Sequence, residues 1–166
     1  RATYEDLNAK VNELLHRRLD IADAAEAHLL ALTRATDSAP LFARYILSAT
    51  TPFTRADLPF LRTDPATALA RHVPFQDEYT RRNWRLFPSI DRVYDNARAR
   101  RDLAWEPRTT FQTALTRLRQ NELPFSPLTH QVGSKGYHPG RSFDGEPFPV
   151  GCRPFLPRVP PEQIKG

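Results

Sequence analysis

All six glycines of this 166-residue chain lie at or beyond Gly133. A backbone that must pass close to a phosphate needs glycine, because any Cβ would hold the two apart. Residues 1–132 therefore cannot form a glycine-rich turn that cradles a nucleotide pyrophosphate. Gly133-Ser134-Lys135-Gly136 offers no substitute: Pro139 intervenes before any helix, and the longer Gly-x4-Gly-Lys-Ser/Thr pattern is absent. Proline is skewed the same way, with nine of the 16 falling after Glu122. The chain divides into a body, residues 1–122, and a Pro/Gly-rich extended tail, residues 123–166, expected to pack on a neighbour or a dimer mate.

Hydrophobic spacing in the body is mostly helical. Tyr4, Leu7, Val11, Leu14 and Leu15 recur three and four apart, as on an amphipathic helix. Asp20 is a good N-cap and Asp23 suits the first turn, which predicts a helix from about Ile21 to Ala35 with Ile21, Ala25, His28/Leu29 and Leu32 as its buried stripe. Phe42 to Ser48 is apolar and β-prone, the pattern of a buried strand ending in the polar turn Ser48-Ala49-Thr50-Thr51. Thr54 with Asp57 forms a capping-box pattern, and Asp64-Pro65 is an N-cap followed by proline at the first helical position. Gln76 to Trp84 fits one or two helical turns.

The densest information lies in Ile90 to Phe111. A short strand delivers Arg92; Asp95 or Asn96 starts a helix from about Ala97 to Leu103; Trp105 is expected to bury its ring beside Leu103; Pro107 stops the helix. Thr109-x-x-Gln112 reads as the capping box of the last regular helix, with Phe111, Leu115 and Leu118 as its stripe.

Composition narrows the function classes. Cys152 is the only cysteine, so an internal disulfide or a cysteine zinc site is excluded. His130, His138 and Cys152 match no standard metal spacing. No apolar run approaches the length of a membrane span, and no signal peptide opens the chain, which together suggest a cytoplasmic protein. The net charge of +5 comes almost wholly from arginine. The Arg98, Arg100 and Arg101 cluster is diluted by Asp95, Asp102 and Glu106 and lacks interleaved aromatics, so a nucleic-acid role ranks low. A non-catalytic binding or interaction module is the alternative to an enzyme. The chain begins at Arg1 and contains no methionine, which suggests a cut, processed or incomplete piece.

The order of parts from Arg17 to Leu32 and from Asp91 to Phe111 resembles the C-terminal substrate-binding part of extended short-chain dehydrogenases, the NAD-dependent epimerase/dehydratase family. The likeness runs in order from about Leu15 to Leu118 and stops before the tail. It implies an α/β fold: the C-terminal part of a Rossmann-type enzyme, with a mostly helical substrate lobe and a few short strands. It also implies NAD(P) as cofactor of the complete enzyme and a nucleotide-sugar-like substrate. Arg92 becomes the implied contact to the substrate diphosphate, although Asp91 or Asp95 could pair with it instead. Tyr94 and Tyr45 become pocket-wall candidates. The family's Gly-x-x-Gly-x-x-Gly turn and Tyr-x-x-x-Lys pair are absent; Tyr4 is followed by Asn8 where lysine is required. This chain alone is therefore expected to bind no NAD and to be inactive without a missing N-terminal Rossmann portion.

Overall fold

The computed structural model describes residues 4–34 and 42–132. Among them the chain forms α1 (Asp6–Glu13), α2 (Ile21–Arg34), a 3-10 turn (Arg55–Asp57), α3 (Pro65–Ala70), α4 (Gln76–Arg81), α5 (Ala97–Leu103), α6 (Phe111–Arg119) and α7 (Pro127–Val132). The described residues contain no strand and no sheet, so they are a helical lobe and not a strand-containing Rossmann fold. Both expected strands are corrected. Ile90 to Val93 makes only isolated backbone bonds at its ends, Ile90 N–H to Leu61 O (2.8 Å) and Tyr94 N–H to His16 O (2.8 Å). A strand requires a partner, and among the described residues none lies beside it.

Phe42 to Leu47 is the more informative case. Burial alternates along it, with Phe42, Arg44 and Ile46 exposed and Ala43, Tyr45 and Leu47 half-buried. That is the period of a strand lying on a core. Yet among the described residues its backbone groups have no hydrogen-bond partner until Ser48 O and Ala49 N–H, which meet Asn96 Nδ2 and Arg18 O at 2.8 Å each.

Two apolar clusters hold the lobe. The larger joins α1, α3, α4 and α6 through Val11, Leu14, Leu15, Leu69, Phe111, Leu115 and Leu118, with Phe75, Tyr79 and Trp84 as an aromatic layer. Phe75–Tyr79 and Tyr79–Trp84 stand edge to face at 5.1 and 5.7 Å, the geometry that opposed ring quadrupoles favour. The smaller cluster is Ala27, Ala99, Leu103 and Trp105, flanked by Leu30, Tyr45 and Leu47.

That smaller cluster overturns the expected phase of α2. Asp23 and Ala27 are buried, whereas Ile21, Leu29 and Leu32 are 40%, 64% and 70% exposed. The reason is a long-range bond pattern that periodicity does not contain. Both Asp23 carboxylate oxygens accept backbone N–H groups, from Arg108 (2.9 Å) and Thr109 (3.0 Å), and its carbonyl accepts from Trp105 Nε1 (3.0 Å). Asp23 thus faces inward and rotates the apolar stripe outward.

Asp20 does similar work. Its carboxylate accepts from Ala22 N–H, Ser126 N–H, Ser126 Oγ and Thr129 Oγ1 at 2.6 to 2.9 Å. Burial opposes ionisation there, but these bonds prevail and hold the carboxyl below its ordinary range. They also anchor α7 on α2, so a further regular helix follows α6, contrary to the expectation that α6 is the last. The rest of the expected tail, with His138 and Cys152, lies outside the described residues.

The caps of α3 and α5 are locally encoded. Asp64 Oδ1 accepts Thr67 N–H at 3.0 Å, and Asp95 Oδ1 accepts Ala97 N–H at 2.8 Å. The start of α6 shifts by one residue from expectation. Thr110, not Thr109, exchanges bonds with Thr113 (2.8 and 3.2 Å), because Thr109 N–H is committed to Asp23.

With no glycine available, other residues occupy left-handed backbone: Asn83, Asn121 and Ala104. Asparagine tolerates this region; alanine does not. Ala104 ends α5 at φ 46°, ψ 37°, and its side chain is exposed. Ala104→Gly is expected to raise the unfolding free energy by about 1 kcal/mol in urea titrations, since relief at the Cβ exceeds glycine's added unfolded-state entropy.

The capping-box aspartate sets an acid limit. Asp57 Oδ2 accepts from Thr54 N–H (2.8 Å), Thr54 Oγ1 (2.7 Å) and His72 Nε2 (2.8 Å). The Thr54 backbone N–H is the largest cause holding its pKa down, from 3.8 to about 2. A folded pKa below the unfolded one stabilises fully above 3.8, and that contribution is lost as pH falls through about 2. Asp57→Asn is expected to lower the urea midpoint at neutral pH and to make little difference in stronger acid.

Candidate functional site

A groove of about 340 Å³ opens between residues 50–58 and 93–100, a size within the range of small-molecule sites. Asn96 builds its floor. Buried in the turn ahead of α5, its Nδ2 donates to Ser48 O (2.8 Å) and to Thr50 Oγ1 (3.0 Å), fastening the 48–50 turn to the start of that helix. Thr51 Oγ1 accepts Phe53 N–H at 3.2 Å, and Thr54 Oγ1 is spent on Asp57. Phe53, Leu58 and Val93 supply the apolar wall, Arg55 and Arg100 the cations, and Asp95 the carboxylate.

Of the three candidate residues from the sequence, Tyr94 lines this groove. Arg92 does not. Its side chain is 66% exposed and forks onto Asp91 Oδ2 through Nε (3.2 Å) and Nη2 (3.0 Å). Asp91, then Tyr94 to a lesser degree, raise its pKa further. An exposed pair of this kind is weak and gives way readily to a stronger anion. Tyr45 packs on the smaller cluster, with the Arg98 guanidinium 5.4 Å over its ring. The three are therefore not gathered in one pocket.

The turn Ser48 to Thr51 was legible from its hydroxyls. Nothing in the sequence marks Arg55 or Asn96 as a site residue: Asn96 has the pattern of a helix cap, and Arg55 belongs to no motif. His16 lies apart from the groove lining. It is buried against the Phe87 ring (5.9 Å), and burial, then Arg17, pushes its pKa down.

The described residues of the groove lining offer hydroxyls, two guanidinium groups, a phenol and one carboxylate, groups suited to recognising a polar ligand. Among the described residues no group of three or more His, Cys, Asp or Glu side chains is placed to hold a metal. No described helix is long and apolar enough to cross a membrane. No protein-family model, curated protein or solved structure matches the chain.

Proposed function

We propose that this chain is the C-terminal substrate-binding portion of an NAD-dependent epimerase/dehydratase that acts on a nucleotide-sugar-like substrate. The observation that carries the reading is Phe42 to Leu47: a segment with strand-like burial whose backbone lacks partners among the described residues, running straight into the threonine turn of the groove. A strand-like segment whose backbone lacks partners among the described residues is what remains when the sheet that would pair it is supplied by other chain. Ile46 and Phe42 on the segment, with Leu29 and Leu32 on α2, form the exposed apolar residues this sheet would cover.

In this proposal the preceding Rossmann portion holds NAD(P) and the catalytic Tyr-Lys pair. Residues 4–132 lack the glycine with which backbone could approach a pyrophosphate. The cofactor would take and return hydride at a sugar carbon. The lobe would bind and orient the substrate, with Arg92 leaving Asp91 for a diphosphate oxygen and Tyr94 forming a wall.

Activity tests this directly. The polypeptide that includes the upstream coding frame, incubated with NAD and a panel of nucleotide sugars, is expected to yield an epimerised or dehydrated product, with Arg92→Gln raising KM about tenfold. No turnover of any of them would contradict the proposal. The isolated chain is expected to bind an apolar dye, and Leu29→Lys with Leu32→Lys to diminish that binding with little change in stability, as both sites are exposed. Absence of dye binding by the unmutated chain would count against the missing sheet.

A further inference from the structure

The hydrogen-bonding inventory of the groove is one-sided. Thr50 Oγ1 and Thr51 Oγ1 each already accept a bond, from Asn96 Nδ2 and Phe53 N–H, which leaves their O–H hydrogens to donate. Among the described residues neither hydroxyl has an acceptor. Arg55 has no carboxylate partner among them either, and brings up to five donors. Among the described residues Arg100 is held by Glu106 alone, in an exposed pair at 3.1 Å, which costs little to release. Against these donors stands one carboxylate, Asp95, with Oδ1 used by Ala97 N–H and Oδ2 available. A donor-rich, acceptor-poor groove is complementary to an oxyanion, and a guanidinium pair is the planar fork that phosphate oxygens suit.

We propose that the groove between residues 50–58 and 93–100 is a binding site for a small phosphate-bearing ligand, with Arg55, Arg100, Thr50 and Thr51 on the phosphate oxygens. Where the phosphate is an ester of a polyol, Asp95 Oδ2 accepts a hydroxyl from the carrier and Tyr94 and Val93 cover its carbon skeleton. The site does not include Arg92 and requires neither NAD nor any upstream chain, so it stands apart from the nucleotide-sugar reading.

The test is titration of the full chain at low salt with inorganic phosphate and, separately, glycerol 3-phosphate, followed by backbone amide NMR shifts and calorimetry. Saturable binding is expected, with shifts concentrated at Thr50, Thr51 and Val93 to Asn96. Arg55→Gln and Arg100→Gln should each weaken it about tenfold. Arg62→Gln, an exposed arginine outside the groove lining, should leave it unchanged. Asp95→Asn should weaken glycerol 3-phosphate but not inorganic phosphate if the polyol ester is the ligand; equal affinity for both probes would assign the site to free phosphate.

The proposal is overturned if Arg62→Gln costs as much as Arg55→Gln, if the shifts spread over the basic surface, or if neither probe binds. Melting curves of the arginine variants serve as the folding control. Phosphate binding without nucleotide-sugar turnover would leave this site standing and the enzyme reading refuted. Turnover without phosphate binding would do the reverse.

Discussion

Asp23→Ala is expected to lower the unfolding free energy by about 3–5 kcal/mol, because it strands two backbone donors, one buried and one part-buried, that the carboxylate now pairs. Each unsatisfied donor costs roughly 1–3 kcal/mol. The loss should appear as a large drop in urea midpoint, accompanied by rapid hydrogen exchange at Arg108 and Thr109. Asp23→Asn should cost less than alanine without being neutral, since its amide oxygen keeps one of the two backbone donors paired while its NH2 faces the other. Burial is the largest influence on this carboxyl and raises its pKa against the bonds from Arg108 and Thr109. A raised folded pKa contributes stability fully below 3.8, and that contribution is lost as pH rises through the raised value. At neutral pH asparagine therefore relieves the buried charge while its amide oxygen retains an acceptor. If alanine and asparagine prove equally costly, one acceptor is not enough and the loop depends on both carboxylate oxygens.

Trp105→Ala is the second large effect, expected at about 3–5 kcal/mol, the usual range for emptying a buried aromatic site. The ring is 1% exposed and forms the centre of the smaller cluster with Ala27, Ala99 and Leu103. Its Nε1 donates to Asp23 O at 3.0 Å, so Trp105→Phe should keep most of the packing and lose about 1 kcal/mol with the bond. Asp23 and Trp105 share this junction, so their losses should not add: the double variant is expected to cost less than the sum of the singles. Additive losses would mean that the indole and the carboxylate act independently.

This junction also explains what was legible in the sequence. Caps encoded within two or three residues are legible: Asp64-Pro65 before α3, Asp95 ahead of Ala97, and Thr54 with Asp57. The misplaced stripe of α2, the shifted start of α6 and the added α7 share one cause, a partner more than eighty residues away. Asp23 has the sequence position of a first-turn acid. Its bonds to Arg108 and Thr109 turned the α2 stripe outward and moved the α6 cap to Thr110. Asp20 likewise served an unforeseen helix through Ser126 and Thr129.

Phe42 to Leu47 has the residue pattern of a strand and, among the described residues, no strand to pair with. Pattern encodes which face is buried; pairing depends on a neighbour. In the groove, the hydroxyls of Thr50 and Thr51 were visible as a polar turn. Their donor surplus emerged only when Asn96 and Phe53 were seen to occupy the oxygens, and Arg55 only when the turn brought it beside them.

The claim that this lobe serves a nucleotide-binding partner sheet is tested most directly by sequencing the coding DNA upstream of Arg1. The account predicts an open frame carrying a Gly-x-x-Gly-x-x-Gly turn between a strand and a helix pattern, followed by a Tyr-x-x-x-Lys pair. An upstream frame without the glycine turn and without the Tyr-Lys pair would contradict it.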